Sequence, residues 1–152
     1  MKKSVYSLLY VLILGSLLAP NHILSKDNFA EYTREINQSF DVGENANISI
    51  ENKYGSVNVK TDGVNKAEFH IQIVVKTNDK SKADDVLKRI DVEFDQSGNS
   101  VSAETQINLS ETWWKKLFKS SKVEYEINYE VRIPKSSGLE LSNKYGNSIQ
   151  FI

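Results

Sequence analysis

The chain has no cysteine among its 152 residues. That excludes disulfides, thiolate metal sites and the cysteine on which a lipoprotein signal depends. Histidine is nearly as scarce: of the two present, His22 lies close to the N-terminus, which leaves His70 alone and too few ligands for a zinc centre. Proline and glycine are few, at 2 and 7, and no Pro/Gly/Ser-rich stretch divides the chain into two domains. The short Ser-containing segments at 119–122 and 135–138 read as loops. No sign of charge dominates, since 19 basic residues face 20 acidic ones; neither a nucleic-acid ligand nor a wholly anionic surface is favoured. Uninterrupted apolar sequence is also short. The run from Val5 to Ala19 falls below the roughly 20 residues that cross a bilayer as a helix.

That run does carry a message. Lys2 and Lys3 precede it and Pro20 and Asn21 end it, which is the order of a secretory signal peptide. With Ser25 as the last signal residue, residues 1–25 are the export signal and residues 26–152 form a single β-rich domain. The 19 basic residues less Lys2 and Lys3 then stand against 20 acidic ones, a net charge of about −3. The localisation expected is outside the cytoplasm: periplasm, outer envelope or cell surface.

From Phe40 onward the dominant period is two: Phe40 and Val42, Ile48 and Ile50, Val57 and Val59, then Phe69, Ile71, Ile73 and Val75. Such alternation places one row of side chains on a core and the other in water. In KVEYEINYEVRIP, Val123, Tyr125, Ile127, Tyr129, Val131 and Ile133 share one face of a long strand that Pro134 ends. Strands around Val92–Phe94 and Val101–Ile107 flank Gly98 and Asn99, which suit a tight hairpin turn. One segment has a helical period: Ala83, Val86, Leu87 and Ile90 lie on one stripe, with Asn78 or Asp79 to cap it. The fold expected is mainly β, an antiparallel or solenoid-like sheet with one amphipathic helix over one core.

The tetrapeptide NKYG occurs twice, at Asn52–Gly55 and Asn143–Gly146. Aligning the flanks sets Ile48 on Leu139, Ile50 on Leu141 and, after one extra residue at Asn147, Val57 on Ile149. The unit repeated is strand, corner, strand. Asparagine bonds its own local backbone and glycine accepts positive φ, so Asn52 and Gly55, like Asn143 and Gly146, bracket a sharp reversal. Tyr54 and Tyr145 between them are placed to lay a ring over the apolar row and keep the hydroxyl wet.

The order of these parts, an exported start, Ile-x-Ile-x-Asn-x-Tyr-Gly-x-Val-x-Val, a helix-containing insertion, a Tyr-rich strand ending in Ile-Pro, then Leu-x-Leu-x-Asn-x-Tyr-Gly, resembles an adhesin-like family of exported bacterial envelope proteins. The resemblance covers roughly Phe40 to Ile152. It implies that the Asn-x-Tyr-Gly units are rungs of a β-solenoid, and that more of them follow the Ile-Pro strand. This chain stops at Ile152, inside the strand after its second copy, and is therefore read as the N-terminal part of a longer repeat protein. A solenoid rung needs stacked neighbours to cover its apolar face. An uncovered edge carrying Leu139, Leu141, Ile149, Phe151 and Ile152 would promote self-association through the C-terminal end.

Nothing in the sequence specifies a reaction or a cofactor. Glu124, Glu126 and Glu130 share a strand face at separations that carboxylate pairs use in glycoside hydrolysis, but charge alternating along a solvent face is ordinary for a strand. His70 is out of phase with the apolar row and should face water beside Gln72. TDGVN and DQSGN lack the carboxylate spacing of a calcium loop. The stretch SETWWKKLFKSSK is harder to pass over: Trp113, Trp114, Leu117 and Phe118 stand among Lys115, Lys116, Lys119 and Lys122. Two readings follow. One is a non-enzymatic envelope or surface protein that binds a protein or glycan partner or has a structural role. The other is a peripheral membrane-associated module that uses Trp113 to Phe118, against which stands a plain lid closing one end of the sheet.

Overall fold

A computed structural model describes residues 29–63, 65–113, 115 and 123–150, with backbone alone for 149 and 150. Residues 1–25, expected to be an export signal, and Trp114, Leu117, Phe118, Phe151 and Ile152 lie outside these residues. The chain is mainly β. Its strands are β1 (Ala30–Asp41), β2 (Asn47–Asn52), β3 (Gly55–Asp62), β4 (Lys66–Thr77), β5 (Ile90–Ser97), β6 (Ser100–Ile107), β7 (Glu124–Pro134), β8 (Gly138–Asn143) and β9 (Gly146–Gln150), with helix α1 (Lys80–Leu87) between β4 and β5.

Two sheets form, in the orders β1-β4-β7-β3-β9 and β5-β6-β2-β8. Both are mixed, and neither closes on itself. Antiparallel pairs hold one side of each: β1 with β4, β4 with β7, and β5 with β6. The other side is parallel, β7 with β3 with β9 and β6 with β2 with β8. The chain therefore passes from the smaller sheet to the larger three times, along β6 to β7, β2 to β3 and β8 to β9. Two strand–corner–strand units, β2–β3 and β8–β9, lie side by side in parallel register, with β6 and β7 on the other side of β2–β3.

The alternating residues face one another between the sheets. Ile48, Ile50, Val57, Val59, Phe69, Ile71, Ile73, Val75, Ile127, Val131 and Ile133 are all buried in one cluster, which also takes Ala83 and Val86 from α1. Phe40, Phe69 and Phe94 meet with centroids 5.4–6.0 Å apart and tie β1 and β4 to β5. Asp79 caps α1 by accepting from the Lys82 amide at 3.2 Å, and the helix packs on β4 and β1.

Two sequence expectations need correction. The alternation begins ten residues before Phe40: β1 pairs with β4 along its whole length, but its inward row of Tyr32, Arg34, Ile36, Gln38 and Phe40 includes polar members. As an edge strand it is half-covered, so an apolar period is not demanded of it. The repeat also needs no extra residue at Asn147. Gly55 pairs with Gly146, Val57 with Ser148 and Asn58 with Ile149, so the register runs unbroken and the position equivalent to Val57 is Ser148. The first half of the alignment stands: Ile48 pairs with Leu139 and Ile50 with Leu141.

Candidate functional site

The two Asn-Lys-Tyr-Gly corners lie one above the other, because β2 and β8 pair through Asn52 and Asn143 while β3 and β9 pair through Gly55 and Gly146. The Asn52 side-chain amide donates to the Ile127 carbonyl at 2.9 Å, one strand away in β7. Asn143 repeats that bond one rung further on, donating to the Gly55 carbonyl at 3.2 Å as well as to its own Asn147 carbonyl at 2.9 Å. Backbone bonds join the same points: the Ile127 amide donates to Tyr54 O at 2.8 Å and the Lys144 amide to Asn52 O at 3.0 Å. The asparagines thus clasp successive rungs. Asn52 reaches its local acceptor, Tyr54 O, only at 3.5 Å.

Glycine serves close approach at both corners. A Cβ on Gly55 would strike the backbone of Ile127, and one on Gly146 the carbonyl of Gly55. Positive φ is divided differently from the expectation: it falls on Gly55 (φ 113) in the first copy but on Tyr145 (φ 65) in the second. The tyrosines stack on one another instead of covering the apolar row. Tyr54 meets Tyr145 at 5.2 Å and 21° and Tyr125 edge-on at 5.1 Å and 63°, a three-ring ladder along the corner side. Tyr145 ends it, 67% exposed, with the Lys144 ammonium 5.3 Å from its ring. Burial, with Tyr54 beside it, raises the Tyr125 phenol above its ordinary pKa.

Behind the first corner lies a buried polar relay that alternation alone does not reveal. The Tyr129 hydroxyl is 2.7 Å from Thr105 Oγ1, and the Thr105 hydroxyl donates to Asn52 Oδ1 at 3.0 Å. With the Asn52 amide on Ile127 O, the chain of bonds runs through β7, β6 and β2 and back to β7. All three side chains are fully buried, and the relay meets the rule that buried polar groups find partners. Burial foremost, with the charge of Glu104 adding, pushes the Tyr129 phenol up to about 12, and the bond from Thr105 opposes this only in part. Because the folded pKa exceeds the unfolded value of about 10, the stabilising contribution is whole below pH 10 and is lost as pH rises towards 12. Stability measured by urea titration should fall over pH 10–12, and Tyr129→Phe should flatten that fall; an equal slope in the variant would place the alkaline transition elsewhere.

The outer faces carry the remaining candidates. On the larger sheet a cleft of about 660 Å³ runs across β1, β4, β7 and β3, with Asn37, His70, Glu130 and Asn58 in one cross-strand row and Lys60 and Arg132 beside them. His70 is hydrogen-bonded to Asn37 Oδ1 at 2.6 Å. Glu124, Glu126 and Glu130 all face solvent on this side, as their alternation predicts, and Glu126 pairs with Lys76 at 3.3 Å. On the smaller sheet Glu93, Glu104 and Glu51 lie opposite one another on three adjacent strands. Among the described residues no group of three or more His, Asp or Glu is placed to hold a metal ion.

Trp113 is half-buried against the core, with the Arg89 guanidinium 4.9 Å from its ring. Among the described residues no helix is long and apolar enough to cross a membrane, a statement that leaves strands aside. No protein family, curated protein or solved structure matches this chain.

Proposed function

We propose that this protein is an exported, non-enzymatic envelope or surface protein of the adhesin-like kind, with its strand–corner–strand units as rungs of a β-solenoid and a binding or structural role. The observation that supports this reading is the parallel stacking of the two Asn-Lys-Tyr-Gly units, continued by β6 and β7 in the same parallel register. Equivalent residues recur at equivalent places in the two Asn-Lys-Tyr-Gly units, asparagine clasps and the Tyr54–Tyr145 stack included. A stack of this type gains stability from contacts between neighbouring units and leaves long outer faces for contact with other molecules. The larger sheet offers one such face, where donors, acceptors and groups that do both alternate across four strands. A protein or glycan partner in the envelope suits it.

The test is export. The full chain, expressed in a bacterium with its own N-terminus, should appear in the envelope fraction or medium with an intact mass lacking residues 1–25. A product that stays in the cytosol and keeps Met1 to Ser25 would refute the proposal.

A further inference from the structure

The cleft on the outer face of the larger sheet holds polar groups that the fold itself does not use. On that face Lys76 meets Glu126 and Glu31, Lys66 meets Asp41, and Arg132 meets Asp62 and Glu68. By contrast the Glu130 carboxylate, the Lys60 ammonium and the Asn58 amide, all within the cleft, bond to no other side chain among the described residues. We infer that this cleft binds a neutral oligosaccharide, its pyranose rings laid across β1, β4, β7 and β3. Such binding rests on the reading of this face as a contact surface and is independent of export, which has its own test.

Register brings these groups together. Asn58 lies opposite Glu130 and Lys60 opposite Arg132, while His70 flanks Glu130 on its other side. The His70 Nδ1 is bonded to Asn37 Oδ1, an oxygen that only accepts, so in the neutral ring Nε2 is left as an acceptor. The row thus presents acceptors on His70 and Glu130, a donor on Lys60 and an amide with both on Asn58. A sugar hydroxyl donates and accepts at once, and matches such a mixture. Neighbouring strands lie about 4.8 Å apart, so the four strands span about 14 Å, the length of a short run of pyranose rings. The cleft volume of about 660 Å³ falls within the range of small-ligand sites, about 300–1,000 Å³.

Charge and apolarity narrow the class. Within the cleft Lys60 and Arg132 balance Glu68 and Glu130. Beyond it the face is acidic, with Glu31, Glu35, Glu124 and Glu126 exposed around Lys76. A polyanion, acidic polysaccharides included, would be repelled there, whereas a neutral chain meets no such field. A protein partner is disfavoured on other grounds. Phe69 and Val131 border the cleft but are only 2% and 1% exposed, so the cleft floor offers no apolar side chain of the kind on which protein interfaces centre.

The test titrates the intact protein with maltotriose, cellotriose and tri-N-acetylchitotriose as neutral trisaccharides and with trigalacturonate as the acidic counterpart, read by NMR of the backbone amides. At least one neutral trisaccharide should move the resonances of Asn58, His70 and Glu130 saturably, with a Kd of about 1 mM. Added salt should leave that affinity unchanged, because no ion pair forms with the ligand. Glu130→Gln and Asn58→Ala should each weaken binding about five-fold, as loss of one hydrogen bond requires. Glu31→Gln, on the same face but outside the cleft, should leave it unchanged, and the resonances of Val59 and Ile71 report whether each variant is folded. Binding is refuted if no neutral trisaccharide moves the cleft resonances, or if trigalacturonate binds more tightly than all of them. It is equally refuted if folded Glu130→Gln and Asn58→Ala proteins both bind as tightly as the parent.

Discussion

Gly55→Ala should lower stability by about 3 kcal/mol. Two costs combine. The backbone at Gly55 has φ 113, where a side chain is strained by about 1 kcal/mol or more. The added Cβ also runs into the Ile127 backbone, which is fixed on both sides by β-pairing and by the Asn52 clasp; forced overpacking of this sort costs about 1–3 kcal/mol. Gly98 is the internal control, since it too has positive φ (58) but open space where its Cβ would go. Gly98→Ala should cost about 1 kcal/mol. Urea denaturation of the two variants separates strain from collision, and equal losses would mean that the rungs can move apart at the first corner without penalty.

Asn52→Leu should cost about 2–5 kcal/mol, although leucine is close to asparagine in size and suits a core. The substitution removes the donor to Ile127 O and the acceptor of the Thr105 hydroxyl, both enclosed. Each buried polar group left without a partner costs about 1–3 kcal/mol. Asn143→Leu, at the half-buried equivalent in the outer rung, should cost about 1 kcal/mol or less, because water can replace its bonds. Adding Thr105→Val to Asn52→Leu should cost less than Thr105→Val costs alone, as expected when two members of one network are removed together. If instead the two asparagine variants lost the same stability, or Thr105→Val added its full separate cost, the relay would have no energetic meaning.

Alternation and local turn signals mark which face is buried in most strands from Phe40 onward, where α1 lies and where the corners fall. Ile48 and Ile50, or Ile127, Tyr129 and Val131, are buried because a strand turns every second side chain to the same side, and that rule needs nothing beyond the chain's own geometry. Asp79 before Ala83 and Val86, and Gly98 between β5 and β6, are local signals of the same sort. Where burial is partial the rule weakens: Arg34 and Gln38 hide β1, and Ile149 suggests an inward position that the register gives to Ser148. Which strands become neighbours, and with that the role of every corner residue, is set by packing between segments far apart in the chain. Asn52 meets Ile127 and Thr105 from 75 and 53 residues away, and Tyr54 stacks on Tyr145 and meets Tyr125 of β7 edge-on. Alternation says that a residue points inward, but not what it will face there, because pairing order follows from how the strand–corner–strand units stack and not from any one strand's own period.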